Sequence, residues 1–204
     1  MVDFAIDPKR TALINVDLQN CFVAGYPISA PEGLAILPRI NALSAACRKA
    51  GATVVHTAAT LRPDLSNIGV QGEVEPFSGQ GMFAKGSVSA ALHEGLEVEP
   101  GDIILEKPRF GAFHATDLEL ILRARGIEAV IITGICTNVC CETTAREAAV
   151  RDFRVLFTSD GTATINIGNV SADELQRATC ATISRVFGQV LTVAEAIGKV
   201  EGTA

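Results

Sequence analysis

No stretch of this sequence approaches the ~20 consecutive apolar residues that a membrane helix needs, so a membrane partner is not expected. No run of Lys and Arg with interleaved aromatics occurs either, and the net charge of −6 argues against a polyanion-binding surface, so nucleic acid is not expected as a partner. The six cysteines, at 21, 47, 136, 140, 141 and 180, form no Cys-x-x-Cys pair and have no neighbouring histidine, which speaks against a zinc site and against a disulfide framework. The first ten residues lack the basic start and apolar core of a signal peptide, so free thiols in the cytoplasm are expected. Without internal repeats, low-complexity tracts or linkers, residues 1–204 read as one domain, and 48% hydrophobic content is enough to fill its core.

What is present is an alternation of short apolar runs with helical patterns. Residues 11–16, 52–58, 103–105, 129–132, 154–158 and 189–192 read as strands, mostly β-branched and continuous enough to be buried on both faces. Between them, helical spacing covers residues 38–50, then from Thr116 to Gly126, residues 143–150, and from a capping box at Ser171-Ala172-Asp173-Glu174 to about Phe187. A β-α-β alternation of this kind predicts a doubly wound, largely parallel sheet with helices on both faces. Residues 61–89 are broken by Pro63, Gly69, Gly72, Pro76, Gly79, Gly81 and Gly86, and read as a long loop free to cover a site. Arg62, Asn67 and Lys85 within it read either as substrate contacts or as solvated loop positions.

In such a sheet, ligands bind beyond the carboxyl ends of the strands. Three chemistry-bearing groups fall there. Asp17 follows the first strand, placed to act as a general base or to tie down a loop. Lys107 follows the third, kept extended by Pro108. Cys140 and Cys141 lie between the fourth strand and a helix, where the free N–H groups and the partial positive charge of a helix start would lower a thiol pKa and hold an oxyanion. His56, at the end of the second strand without a partner histidine, reads more readily as a packed residue than as a ligand.

Leu13-Ile14-Asn15-Val16-Asp17-Leu18-Gln19-Asn20, Lys107-Pro108-Arg109-Phe110-Gly111-Ala112-Phe113 with Thr116-Asp117-Leu118, and Gly134-Ile135-Cys136-Thr137-Asn138-Val139-Cys140 with Thr144-Ala145-Arg146 occur in this order across nearly the whole chain. Together they resemble the isochorismatase-like cysteine hydrolases, most closely the ureidoacrylate and biuret amidohydrolase branch. The resemblance implies a single-domain, three-layer α/β/α Rossmann-like fold and a catalytic triad of Asp17, Lys107 and Cys140. It also implies an oxyanion hole from the backbone N–H groups of Cys136 and Cys140, and a cis peptide between Ile135 and Cys136. Cys136 departs from the alanine common there, and Cys141 from the usual apolar residue.

Phe22, Asn67, Arg109 and Phe113 are the expected substrate contacts, Arg109 either pairing with a substrate carboxylate or bracing its loop. Metal-dependent nicotinamidases of the family carry an Asp-x-His…His set that this sequence lacks after His56, so no metal and no cofactor are expected. The implied activity is hydrolysis of a C–N bond in a small amide or ureide through a thioester, by a homo-oligomer, dimer or tetramer. Isochorismatase-type vinyl ether hydrolysis, a silent ligand-binding role and thiol redox chemistry at Cys140-Cys141 are the alternatives.

Overall fold

A computed structural model describes residues 2–203. Six strands form one sheet: β1 (Thr11–Val16), β2 (Thr53–Ala59), β3 (Ile103–Lys107), β4 (Ala129–Ile135), β5 (Arg154–Ala163) and β6 (Gln189–Leu191). All neighbours pair in parallel, in the order β3-β2-β1-β4-β5-β6. The eight α-helices are α1 (Asn20–Val23), α2 (Gly33–Ala50), α3 (Gln71–Val74), α4 (Pro76–Gly79), α5 (Leu118–Ala124), α6 (Glu142–Ala149), α7 (Ala172–Thr182) and α8 (Val193–Glu201).

Strand side chains alternate between the two faces of the sheet, and both faces are apolar, so each needs a helical cover. On one face Leu13, Val54, Ile131 and Leu156 pack against Leu43 and Cys47 of α2 and Val193, Ala196 and Val200 of α8. On the other, Ile14, Val55, Val130, Ile132 and Phe157 meet Leu118 and Leu122 of α5 and Ala145 and Ala148 of α6. The result is the expected three-layer arrangement. No helix is long and apolar enough to cross a membrane among the described residues.

Successive strands run outward from β1 in one direction and from β4 in the other, which makes the β1–β4 crevice the topological switch point. Gly134 permits this crevice to close. Its φ is +118°, and a Cβ there would lie 2.0 Å from the Val16 carbonyl oxygen.

Several sequence boundaries move. Helix α2 starts at Gly33, five residues before the expected start, because Pro38 lies inside the helix and does not open it. Helix α5 starts at Leu118, two residues after Thr116; Asp117 makes no side-chain cap bond, and the Leu118 N–H meets the Thr116 hydroxyl at 3.3 Å. Helix α8 was not anticipated, although Thr192 and Glu195 form a full capping box at its start. Residues 61–89 hold the short helices α3 and α4 and are tied back by Leu61 N–H to Phe83 O and Lys85 N–H to Leu61 O.

Candidate active site

Asp17 is the first residue beyond β1, wholly buried, with φ of +52°. That left-handed conformation costs a non-glycine residue ~1–3 kcal/mol, less for Asp than for most, so surrounding bonds must hold it. Thr57 on the adjacent strand supplies them. Its carbonyl and hydroxyl oxygens accept from the Asp17 N–H at 3.2 and 3.1 Å, and its hydroxyl donates to Asp17 Oδ1 at 2.6 Å.

Lys107 ends β3 and is likewise wholly buried. Its Nζ sits 2.6 Å from Asp17 Oδ2 and donates to the carbonyls of Arg109 and Phe110 at 3.0 and 2.9 Å. Burial pulls the lysine pKa down, but attraction to Asp17 and to the Cys140 sulfur more than offsets it, and the net shift is upward. Lys107 is therefore an ammonium, two of its N–H groups given to backbone carbonyls. Oδ2 touches that ammonium, yet no donor meets it in a well-directed hydrogen bond among the described residues, leaving a lone pair of Asp17 unspent.

Cys140 lies in a π-helical turn, Thr137–Cys141, between β4 and α6, after a cis peptide at Ile135–Cys136. The Cys141 N–H reaches back to the Cys136 carbonyl at 3.1 Å, so the turn is wider than an α-helical one. Thr144 fixes it to the lysine loop: its hydroxyl donates to Cys140 O at 2.7 Å and accepts from the Ala112 N–H at 3.1 Å. The expectation of a lowered thiol pKa is reversed. Burial pushes the Cys140 thiol well above the ordinary range; Lys107 pulls it down, while Asp17 and Cys136 push it further up. A helix start favours thiolate only where the sulfur keeps some solvation, and this one is buried.

The structure thus brings Asp17, Lys107 and Cys140 together at the switch point. Lys107 and Cys140 line a cavity of about 170 Å³, with Asp17 buried outside its lining; the volume is below the ~300–1,000 Å³ of pockets for drug-sized ligands, so it suits a small molecule. Its walls are mostly apolar, with Phe22 stacked on Phe83 at 5.5 Å, and its polar lining includes Gln71, Glu75, Lys107 and Arg109. Phe22, Arg109 and Cys136 also line it.

Two expected contacts do not. Phe113 is buried in the core under α6, its ring 6.0 Å from that of Phe153 and under the Arg151 guanidinium at 5.0 Å, with its N–H on Glu147. Asn67 lies outside the cavity wall, its side-chain oxygen accepting from the Arg62 N–H at 2.9 Å. Arg109 is half-buried and braced at one end, Nη1 donating to the carbonyls of Asn67 and Pro108 at 3.1 and 2.6 Å, and it has no carboxylate partner among the described residues. Arg62 and Lys85 border a second, outer cleft and pair with Asp64 and Glu106.

Cys141 points away from the cavity, its Sγ 3.7 Å from Thr133 O, and all six cysteines are free. Cys136 faces the cavity with a thiol that burial pushes up to about 12. His56 belongs to a separate buried network: Nε2 lies 2.9 Å from Asp102 Oδ2, which Arg48 also holds, and Nδ1 faces Asn15 Nδ2 at 3.3 Å. Thr57, Thr144 and Gln71 escaped the sequence reading. Each acts through a partner on another element, and only strand register or folded contacts show it.

A cysteine and a buried acid–lysine pair converging at the switch point of a parallel, doubly wound sheet are groups able to carry out hydrolysis by a cysteine nucleophile. Residues 11–195 match the family model described as the isochorismatase domain, and the chain belongs to the isochorismatase family of hydrolases. It is 35% identical to the ureidoacrylate amidohydrolase RutB of Methylorubrum extorquens strain AM1, over 93% of this chain and 82% of that protein. The crystal structure of a cysteine hydrolase from Pseudomonas syringae pv. phaseolicola 1448A superposes with a TM-score of 0.92 at 34% identity, covering 100% of this chain and 98% of that one. The N-carbamoylsarcosine amidase of Thermoplasma acidophilum superposes with a TM-score of 0.75 at 25% identity, over 90% and 96% of the two chains.

Proposed function

We propose that this protein is a cysteine-dependent amidohydrolase that cleaves a C–N bond of a small amide or ureide, of ureidoacrylate, biuret or carbamoyl type, through a thioester. The observation that carries this reading is the lone pair of Asp17 Oδ2, buried beside Cys140 and held at 2.6 Å from an ammonium that cannot itself take up a proton.

Because the resting thiol is held protonated by burial, attack and deprotonation go together. Cys140 Sγ bonds to the carbonyl carbon as its proton passes to Asp17 Oδ2. The oxygen takes the negative charge and is met by the backbone N–H groups of Cys136 and Cys140. The intermediate collapses by breaking the C–N bond; Asp17 returns the proton to the leaving nitrogen, and ammonia or an amine departs. Water then attacks the thioester, giving a proton to Asp17. The C–S bond breaks, and the proton returns to Sγ. Lys107 stays an ammonium throughout and keeps the Asp17 carboxylate in place. Arg109 offers its remaining N–H groups to a substrate carboxylate. The reading takes the protein as a cytoplasmic homo-oligomer needing no metal or cofactor.

The test is ammonia release from biuret, ureidoacrylate-like acids, carbamoyl amino acids and nicotinamide, with Cys140→Ala beside the unaltered protein. Release from a ureide that falls by 10³-fold or more (on the order of what loss of a nucleophile costs) supports the reading. Release that survives the substitution sinks it.

A further inference from the structure

Almost everything that a guest in the Cys140 cavity would touch is carbon or sulfur. Phe22 and Phe83, stacked at 5.5 Å, supply one broad flank, and Ile28, Val139 and Ile165 add branched aliphatic groups. The polar residues of the lining are turned to other partners. Gln71 gives its Nε2 to the Ser78 hydroxyl at 3.0 Å, Glu75 caps α4 by accepting from the N–H groups of Phe77 and Ser78, and Lys107 holds Asp17 and two carbonyls. Arg109 has N–H groups to spare beyond its bonds to Asn67 O and Pro108 O, enough for one carboxylate. A polar guest would leave its water partners and find few replacements, and each group left unmet weakens binding by about tenfold. An apolar guest instead tightens by about fourfold for each CH2 it buries. Apolar cavities of about 150 Å³ stay dry and accept a benzene-sized guest, and this one, at about 170 Å³, has room for a group of that size.

The departing nitrogen decides which side of the substrate lies here. It takes its proton from Asp17 Oδ2, and Asp17 is wholly buried and outside the cavity lining, so the side toward Asp17 has space for an NH2 and none for a substituent on it. The group in the cavity is then on the acyl side. We propose that the substrate is a terminal amide or ureide, R–CO–NH2, whose R is compact and apolar where it meets the cavity, and that ammonia is the product released. The C–N bond to NH2 breaks, water gives OH to the carbonyl carbon and a proton to the nitrogen, and R–COOH and ammonia result. The proposal rests on the amidohydrolase reading for its chemistry and narrows its substrate class.

Isovaleramide and biuret test it. Both have the form R–CO–NH2 with four non-hydrogen atoms in R, joined in the same way, and isovaleramide has carbon wherever the R of biuret has nitrogen or oxygen. In Cys140→Ala protein, which lacks the nucleophile, titration followed by NMR is expected to show isovaleramide binding about tenfold or more tightly. Biuret binding as tightly or more tightly overturns the proposal, as does failure of isovaleramide to bind. Adding Ile165→Thr, which sets a hydroxyl in the aliphatic wall, is expected to lower the ratio severalfold; a ratio left unchanged puts the guest elsewhere and overturns it too. Turnover by the intact enzyme separates the two readings. No ammonia from either compound, with isovaleramide still the tighter ligand, removes the amidohydrolase reading and leaves the apolar site; ammonia release with biuret as the tighter ligand does the reverse.

Discussion

At the scale of single residues, burial sets the behaviour of the site more than sequence position does. Cys140 sits where a helix start would favour a thiolate, but desolvation dominates and its pKa goes up. Alkylation of Cys140 by iodoacetamide should therefore keep accelerating with pH through 7 to 9.5; a plateau near neutrality would show a thiolate already formed. The Asp17–Lys107 pair is wholly buried at 2.6 Å, so removing one partner strands the other charge away from water. Lys107→Ala should cost about 3–5 kcal/mol, seen as a lower denaturant midpoint, and should also remove activity. The positions of Asp17, Lys107 and Cys140 were legible because each lies at the carboxyl end of a short apolar run or in the turn beyond it, and strand ends are where an open sheet delivers chemistry. Phe113 was misread for a related reason. It lies only six residues past Lys107, but the chain turns between them, and its ring goes under α6 and not into the cavity.

Among the elements, the strands were read well and their ends poorly. Strand β5 runs on to Ala163, through Ser159, Asp160 and Gly161, because its pairing with β4 resumes beyond an irregularity between Ile132 and Gly134. No local propensity announces such a resumption. Thr57 illustrates the same limit, since its bond to Asp17 exists only through the register that sets β2 beside β1. Elements are also joined by the Arg48–Asp102–His56 network between α2, β2 and the turn before β3. Burial works to raise the Asp102 pKa, but bonds from Arg48, the Glu99 N–H and His56 win and bring it to about 2. His56 is shifted down by burial, against the pull of Asp102. Both shifts make the unfolded chain bind more protons than the folded one, so stability falls as the pH falls. The midpoint in urea is expected to drop below pH 6.5, as unfolded His gains its proton, and again between pH 4 and 2 as the Asp102 contribution is lost. Asp102→Asn should shrink the second drop; a variant whose profile matches the parent's there would contradict the network's role.

For the molecule as a whole, the three-layer arrangement was legible because alternating strands and helices with both strand faces apolar leave few other ways to hide them. The walls of the cavity were not, since Leu61, Gln71 and Phe83 come from an irregular stretch whose course depends on what it packs against. Leu120 and Val150 stand 71% and 73% exposed on the single chain, apolar surface that the proposed homo-oligomer could cover. Light scattering should return a multiple of 21.4 kDa, and a mass of 21.4 kDa would reject the oligomer. Of the five lysines, Lys9, Lys49 and Lys85 are exposed and Lys199 is half-buried, while the Lys107 amine is sealed behind two carbonyls and a carboxylate. Amine-directed chemistry therefore meets a molecule whose Lys107 amine is out of reach. Coupling to an activated resin, or exhaustive reductive methylation, should decorate the outer positions and leave a tethered, working catalyst.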